Sequence, residues 1–227
     1  MMNEFKIESA SVTNIGKREV NQDRLFEKTS LSGGVGLFCI ADGMGGLANG
    51  EYAAALVTEH LNRWWETGLP LSNDSVKGTL LGLLQAINSE IIKTTEKNSC
   101  GTTCSLLFIK DGDYYIAHTG DSMIYKKENA MFAKAEQLTE EHAKNNKLTS
   151  CLGIFEMPKI VTKTGKIEGS CTFLLCSDGF YKVVPLKKIS AWLKAKAKPA
   201  ALAQKLVNKA LKLGTDDNVS VITVHLN

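Results

Sequence analysis

Residues 35–48, VGLFCIADGMGGLA, decide between two fold classes. The first seven are a continuous apolar run of strand length, and Asp42 ends it among small residues. Gly43, Gly45 and Ala48 match G-x-G-x-x-A, which read alone suggests a dinucleotide-binding loop in a doubly wound α/β fold. That reading requires the acidic strand end not to face a pyrophosphate, and a second strand carrying a ribose ligand soon after the helix. Here Asp42 would point a negative charge toward the pyrophosphate, and the chain continues as RWWETGLPLSND (63–74) into another helical pattern. The alternative is that Asp42 is a cation ligand, with the small residues letting the backbone pass close to an ion so that the Gly43 carbonyl also binds it.

Three further Asp residues sit at the edges of apolar runs. Asp121 ends YYIAHTGD, Asp178 ends CTFLLCSD, and Asp217 opens DNVSVITVHL. Buried strands would deliver four carboxylates to their polar ends, where they cannot all stay ionised without cations or shared protons. Hard oxygen donors with no His or Cys cluster favour Mg²⁺ or Mn²⁺ over Zn²⁺.

Outward from these positions the chain reads as β-rich. Strand signals cover Phe5 to Thr13, Leu25 to Lys28, Val35 to Ala41, Thr102 to Ile109, Tyr114 to His118, Met123 to Lys126, Thr172 to Cys176 and Val219 to His225. Asp111-Gly112 supplies a hairpin turn. Helical periodicity comes in two pairs: Glu51 to Glu66 with Asp74 to Lys97, and Pro185 to Lys194 with Pro199 to Leu213, where Gly214 is a stop. Amphipathic helix pairs among antiparallel strands predict stacked sheets with helices outside.

The composition bounds the rest. A chain of 227 residues, 44% hydrophobic and 22% charged, suits one domain over 1–227. A net charge of +3 without a basic, aromatic-rich block gives no case for nucleic acid. The N-terminus has no signal-peptide pattern and no apolar run reaches spanning length, so the expected location is cytoplasmic, with no membrane partner. Cys39, Cys104, Cys171 and Cys176 lie in apolar runs and are expected as small hydrophobes rather than disulfides.

In order, GKREVNQD (16–23), ADGMGG (41–46), CGTT (100–103), GDSMIY (120–125), LTEEH (138–142), LCSDGF (175–180) and DDNVSV (216–221) resemble the metal-dependent PP2C-type Ser/Thr protein phosphatases, in their compact bacterial form. The resemblance implies an α+β fold: a four-layer αββα sandwich of two packed antiparallel β-sheets flanked by antiparallel helix pairs. It implies two Mg or Mn ions, with Asp42 bridging them, the Gly43 carbonyl on one, Asp178 and Asp217 on the other, and Asp23 acting through water. Asp121 would help hold a weak third ion or accept a hydrogen bond behind the ligands. Arg18 would bind phosphate, for which a guanidinium fork is suited. The activity implied is hydrolysis of phosphoserine and phosphothreonine in proteins by a metal-bridging hydroxide, by a monomer opposing a bacterial-type Ser/Thr kinase.

Two departures bear on that expectation. Met44 stands where animal relatives have a His proposed as general acid, and Met cannot donate a proton. His142 is a remote substitute, while His60, His118 and His225 are expected to be structural. Between LTEEH and NKLTSCLG only Ala143 to Asn145 remain of a flap that spans a few dozen residues in most bacterial relatives, which predicts an open site with weak third-ion affinity. A non-catalytic phosphoprotein-binding module and a phosphatase of small metabolites are the alternatives.

Overall fold

Leu37, Cys39 and Ala41 pack on one side of their strand, Phe38 and Ile40 on the other, and all five are fully buried. Burial of both faces requires a layer on each side. A Phe in the position of Phe38 is worth ~3–5 kcal/mol against Ala.

The computed structural model describes residues 5–45, 49–68, 72–95, 100–145, 147–193 and 197–227. Along the chain run β1 (Ile7–Asn14), β2 (Asp23–Thr29), β3 (Val35–Gly45), α1 (Asn49–Thr67), α2 (Asn73–Thr94), β4 (Cys100–Thr102), β5 (Cys104–Lys110), β6 (Asp113–Thr119) and β7 (Met123–Glu128). Then come β8 (Glu136–Gln137), β9 (Ala143–Lys144), β10 (Lys147–Leu148), β11 (Val161–Lys166), β12 (Cys171–Cys176), α3 (Asp178–Tyr181), α4 (Leu186–Trp192), α5 (Pro199–Lys212) and β13 (Val219–Leu226).

One sheet has the order β1-β13-β12-β7-β8 and the other β11-β6-β5-β3-β2, with β4 pairing β3; every pairing in them is antiparallel. Three apolar clusters separate four layers. Leu80, Leu84, Ile87 and Ile91 of α2 pack with Ala53, Val57 and Leu61 of α1 against Leu37, Cys39 and Leu106 of the second sheet. Between the sheets, Phe38, Ile40 and Leu107 meet Phe173, Leu175 and Ile222. On the far side, Leu202, Leu206 and Ala210 of α5 and Ile189 of α4 cover Leu174, Cys176 and Val221. The αββα sandwich follows from the period-two alternation of β3, β12 and β13 combined with the helical stripes.

The expected strands and helices are present, with ends displaced by a few residues. Ala48, Lys97 and Lys194 lie outside the described residues. Not expected from the sequence are β8, β9 and β10, of two residues each, β11, whose VTKTGK has one apolar β-former and stays partly exposed at the sheet edge, and α3, which is a single turn. Where a flap is expected to be missing, β9 and β10 form a hairpin of two residues per strand, with Asn145 at φ 53°. The six Cys are buried and free, and Cys39 Sγ lies 3.6 Å from Cys104 Sγ as an unbonded contact. No helix among the described residues is long and apolar enough to cross a membrane.

Candidate active site

Both sheets send acidic residues to a single cleft of about 680 Å³. In one sheet, Asp42 of β3 lines the cleft, and Asp23, which opens β2 and is buried, stands opposite it. In the other, Asp178 begins α3 directly after β12, and Asp217 lies just before β13; those two strands are antiparallel neighbours, with Cys176 opposite Val221. Asp121 occupies the bend between β6 and β7. Carboxylate oxygens of Asp42, Asp121 and Asp178 all lie within 4.8 Å of one another. The structure thus groups Asp121 with Asp42 and Asp178.

Asp23 and Asp217 have other immediate contacts. Asp23 Oδ2 accepts a 2.6 Å bond from the Ser220 hydroxyl. Asp217 Oδ2 accepts a 2.7 Å bond from Arg18 Nη2. That contact uses one of the five guanidinium donors. Lys182 joins the cluster from α3, with Nζ 2.6 Å from Asp178 Oδ2 and 3.8 Å from Asp121 Oδ2.

So many carboxyls in one place disfavour their own ionisation. Burial, then Asp23, Asp178, Asp121 and Asp217 in that order, push the Asp42 carboxyl well above its usual range. Asp42 is half-buried and lines the cleft. Burial raises Asp23 to about 6 against the hydroxyls of Ser220 and Ser177, which hold it down. Burial and then Asp178 raise Asp121 to about 6, opposed by Lys182. Asp23 Oδ1 and Asp178 Oδ1 are buried without a hydrogen-bond partner. Unpartnered carboxylate oxygens beside raised acids, with no imidazole or thiolate in the set, fit hard divalent cations.

The supporting shell is built from backbone and small polar groups. Asp42 N–H donates to Thr103 Oγ1 at 3.0 Å, and Asp42 carbonyl accepts from Thr103 N–H at 2.9 Å and Thr102 Oγ1 at 3.1 Å, so the CGTT segment holds the Asp42 backbone. A Cβ on Gly43 would lie 2.2 Å from the Gly50 carbonyl oxygen of α1, so close helix approach also demands glycine there. Asn218 donates through Nδ2 to the carbonyls of Ile15 and Val20 and accepts at Oδ1 from Gln22 N–H, which ties the loop carrying Arg18 to the residue beside Asp217. Gly16, at φ +62°, lets that loop approach the Asp217 carbonyl.

Met44 and Leu148 line the cleft, so no side-chain proton donor stands at position 44. His142 is not among its lining residues: it is buried, its Nδ1 accepts from Gly120 N–H at 3.4 Å, and its ring packs 4.8 Å from that of His118. His60 pairs with Glu90 between α1 and α2. Lys182, Asn218 and Ser220 were missed by the sequence reading. Lys182 carried one available signal, its i,i+4 spacing from Asp178; the other two are polar residues beside Asp217 with nothing to single them out.

A family model described as protein phosphatase 2C matches residues 12–212. The serine/threonine phosphatase stp of Listeria innocua is 29% identical over 213 residues, covering 83% of each chain. Among solved structures, PppA, a key regulatory component of T6SS in Pseudomonas aeruginosa, superposes with a TM-score of 0.84 at 25% identity and covers 98% of both chains. The serine/threonine phosphatase Stp1 of Staphylococcus aureus gives a TM-score of 0.88 at 22% identity, covering 97% of this chain and 95% of its own.

Proposed function

Because the chain belongs to the protein phosphatase 2C family, we propose that it hydrolyses phosphoserine and phosphothreonine in proteins at a centre of two Mg²⁺ or Mn²⁺ ions. Asp42, the Gly43 carbonyl, Asp178 and Asp217 would hold the ions, with Asp23 contributing through water. The observation that carries this reading is the approach of Asp42 to Asp178 within 4.8 Å, with unpartnered oxygens on Asp23 and Asp178.

When bound, the ions supply Lewis acidity, which lowers the pKa of water to near neutrality and offsets charge on the phosphoryl group. The chain's own residues orient and bind. Arg18 sits at the rim with most of its donors unused by Asp217, positioned to take two oxygens of a phosphate. Its charge is held more firmly by the hydrogen bond to Asp217, which raises its already high pKa. Met44 offers no proton to the departing alkoxide, so that proton comes from water or from the substrate. The protein works as a cytoplasmic monomer against a bacterial-type Ser/Thr kinase. With a short hairpin in place of a flap, its target choice rests on docking or co-localisation.

Met44 also favours a second reading, a non-catalytic phosphoprotein-binding module. Titrating Mn²⁺ into the metal-free protein by calorimetry separates the two. Two saturable sites, both lost in Asp42→Asn, are expected of the enzyme; absence of saturable binding overturns it.

A further inference from the structure

Lys182 enters the cleft where its negative charge is densest. Nζ contacts Asp178 Oδ2 at 2.6 Å and lies 3.8 Å from Asp121 Oδ2, and these two carboxylates belong with Asp42 to the set within 4.8 Å. The lysine follows α3 directly, four residues after Asp178, so it reaches the site without a long-range rearrangement. About half of its side chain, 48%, stays exposed while its ammonium meets the acids. Among the described residues, Arg18 is the other cation lining the cleft, and its ion pair is with Asp217 rather than with Asp121 or Asp178.

We propose that Lys182 is a built-in monovalent cation that takes the place of a third divalent ion between Asp121 and Asp178 and so limits the centre to two. The inference rests on the two-ion reading above. A divalent ion held by Asp121 and Asp178 would sit within a few ångströms of the ammonium that already contacts Asp178 Oδ2, and that positive charge opposes it. The ammonium offers only donors, so it satisfies these acids and cannot ligate an ion itself. Asp121 is then an anchor for Lys182 rather than a ligand. The charge that a third ion would bring is supplied permanently, independent of metal concentration.

The experiment is a Mn²⁺ titration of the full chain followed by electron paramagnetic resonance of the free ion, on wild type, Lys182→Gln and Lys182→Asp, with circular dichroism as a check of fold. Gln removes the charge at nearly equal length, and Asp turns the position into a potential ligand. Wild type is expected to bind two equivalents. Lys182→Gln should gain a third at least about tenfold tighter than any third site in wild type, and Lys182→Asp should bind it more tightly still. A third ion bound to wild type as tightly as to the variants overturns the proposal, as do two equivalents in all three proteins. No binding by any of them overturns the two-ion reading and this inference together.

Discussion

Asp23 and Asp42 face each other across the cleft end of the β2–β3 ladder. Like charges in directly opposed positions weaken a sheet, and here burial raises both acids as well. The arrangement sacrifices stability in the metal-free chain while it gathers oxygens that the proposed centre would use.

That sacrifice has a pH signature. Asp23 rises from 3.8 to about 6 on folding, so its contribution to stability is full below 3.8 and is lost as pH rises through about 6. Buried His118 and His142, both lowered on folding, and His225 with them, act in the opposite sense, since their contribution is lost as pH falls. Comparison with Asp23→Asn cancels the histidines. In urea denaturation with a chelator present, the stability of wild type relative to Asp23→Asn should fall by roughly 2–3 kcal/mol between about pH 4 and pH 7. A flat difference would show that Asp23 titrates alike in both states.

Arg18 should act on substrate rather than on folding, since its side chain is 57% exposed. Arg18→Ala is expected to raise KM for a phosphothreonine peptide by about 10–100-fold, the range of a charge-assisted hydrogen bond, with unfolding midpoint unchanged. Arg18→Lys should recover part of the loss, because a point charge replaces the fork. Unchanged KM in the Ala variant would remove Arg18 from phosphate binding.

Asn88 of α2 carries a structural prediction. Its Oδ1 accepts from Gly153 N–H at 2.7 Å, and its Nδ2 donates to the Phe155 carbonyl at 3.0 Å and the Glu156 carbonyl at 3.3 Å. This side chain fastens the loop that runs back to β4, where Leu152 and Thr102 exchange backbone bonds. Asn88→Ala strands a buried donor and should cost ~1–3 kcal/mol by urea denaturation. A change within experimental scatter would mean that the loop holds without it.

The layers were legible in the sequence because β3, β12 and β13 are apolar on both faces and the helices carry single stripes, patterns that report burial directly. The edge strand β11 was not legible, since one face against solvent leaves too few apolar residues to register. In the site, the placement of Asp42, Asp178 and Asp217 at strand ends could be read locally. The contact between Lys182 and Asp121 could not: 61 residues separate them, and only the meeting of the β6–β7 bend with α3 brings them together. The proximity of Asp121 to Asp42 likewise depends on the sheet order, since β5 alone separates β3 from the strand that leads into Asp121. Asn218 shows a further limit, because its role in holding the Arg18 loop depends on backbone carbonyls that no residue type announces.

If these acids make a metal-dependent phosphatase, phosphate release from a phosphothreonine peptide by the purified chain in Mn²⁺, beside Asp178→Asn and a chelated control, shows it. Turnover is expected of wild type with Mn²⁺, none with chelator, and a loss of at least about a hundredfold in Asp178→Asn. Equal turnover by wild type and Asp178→Asn, or turnover that survives chelation, would contradict it.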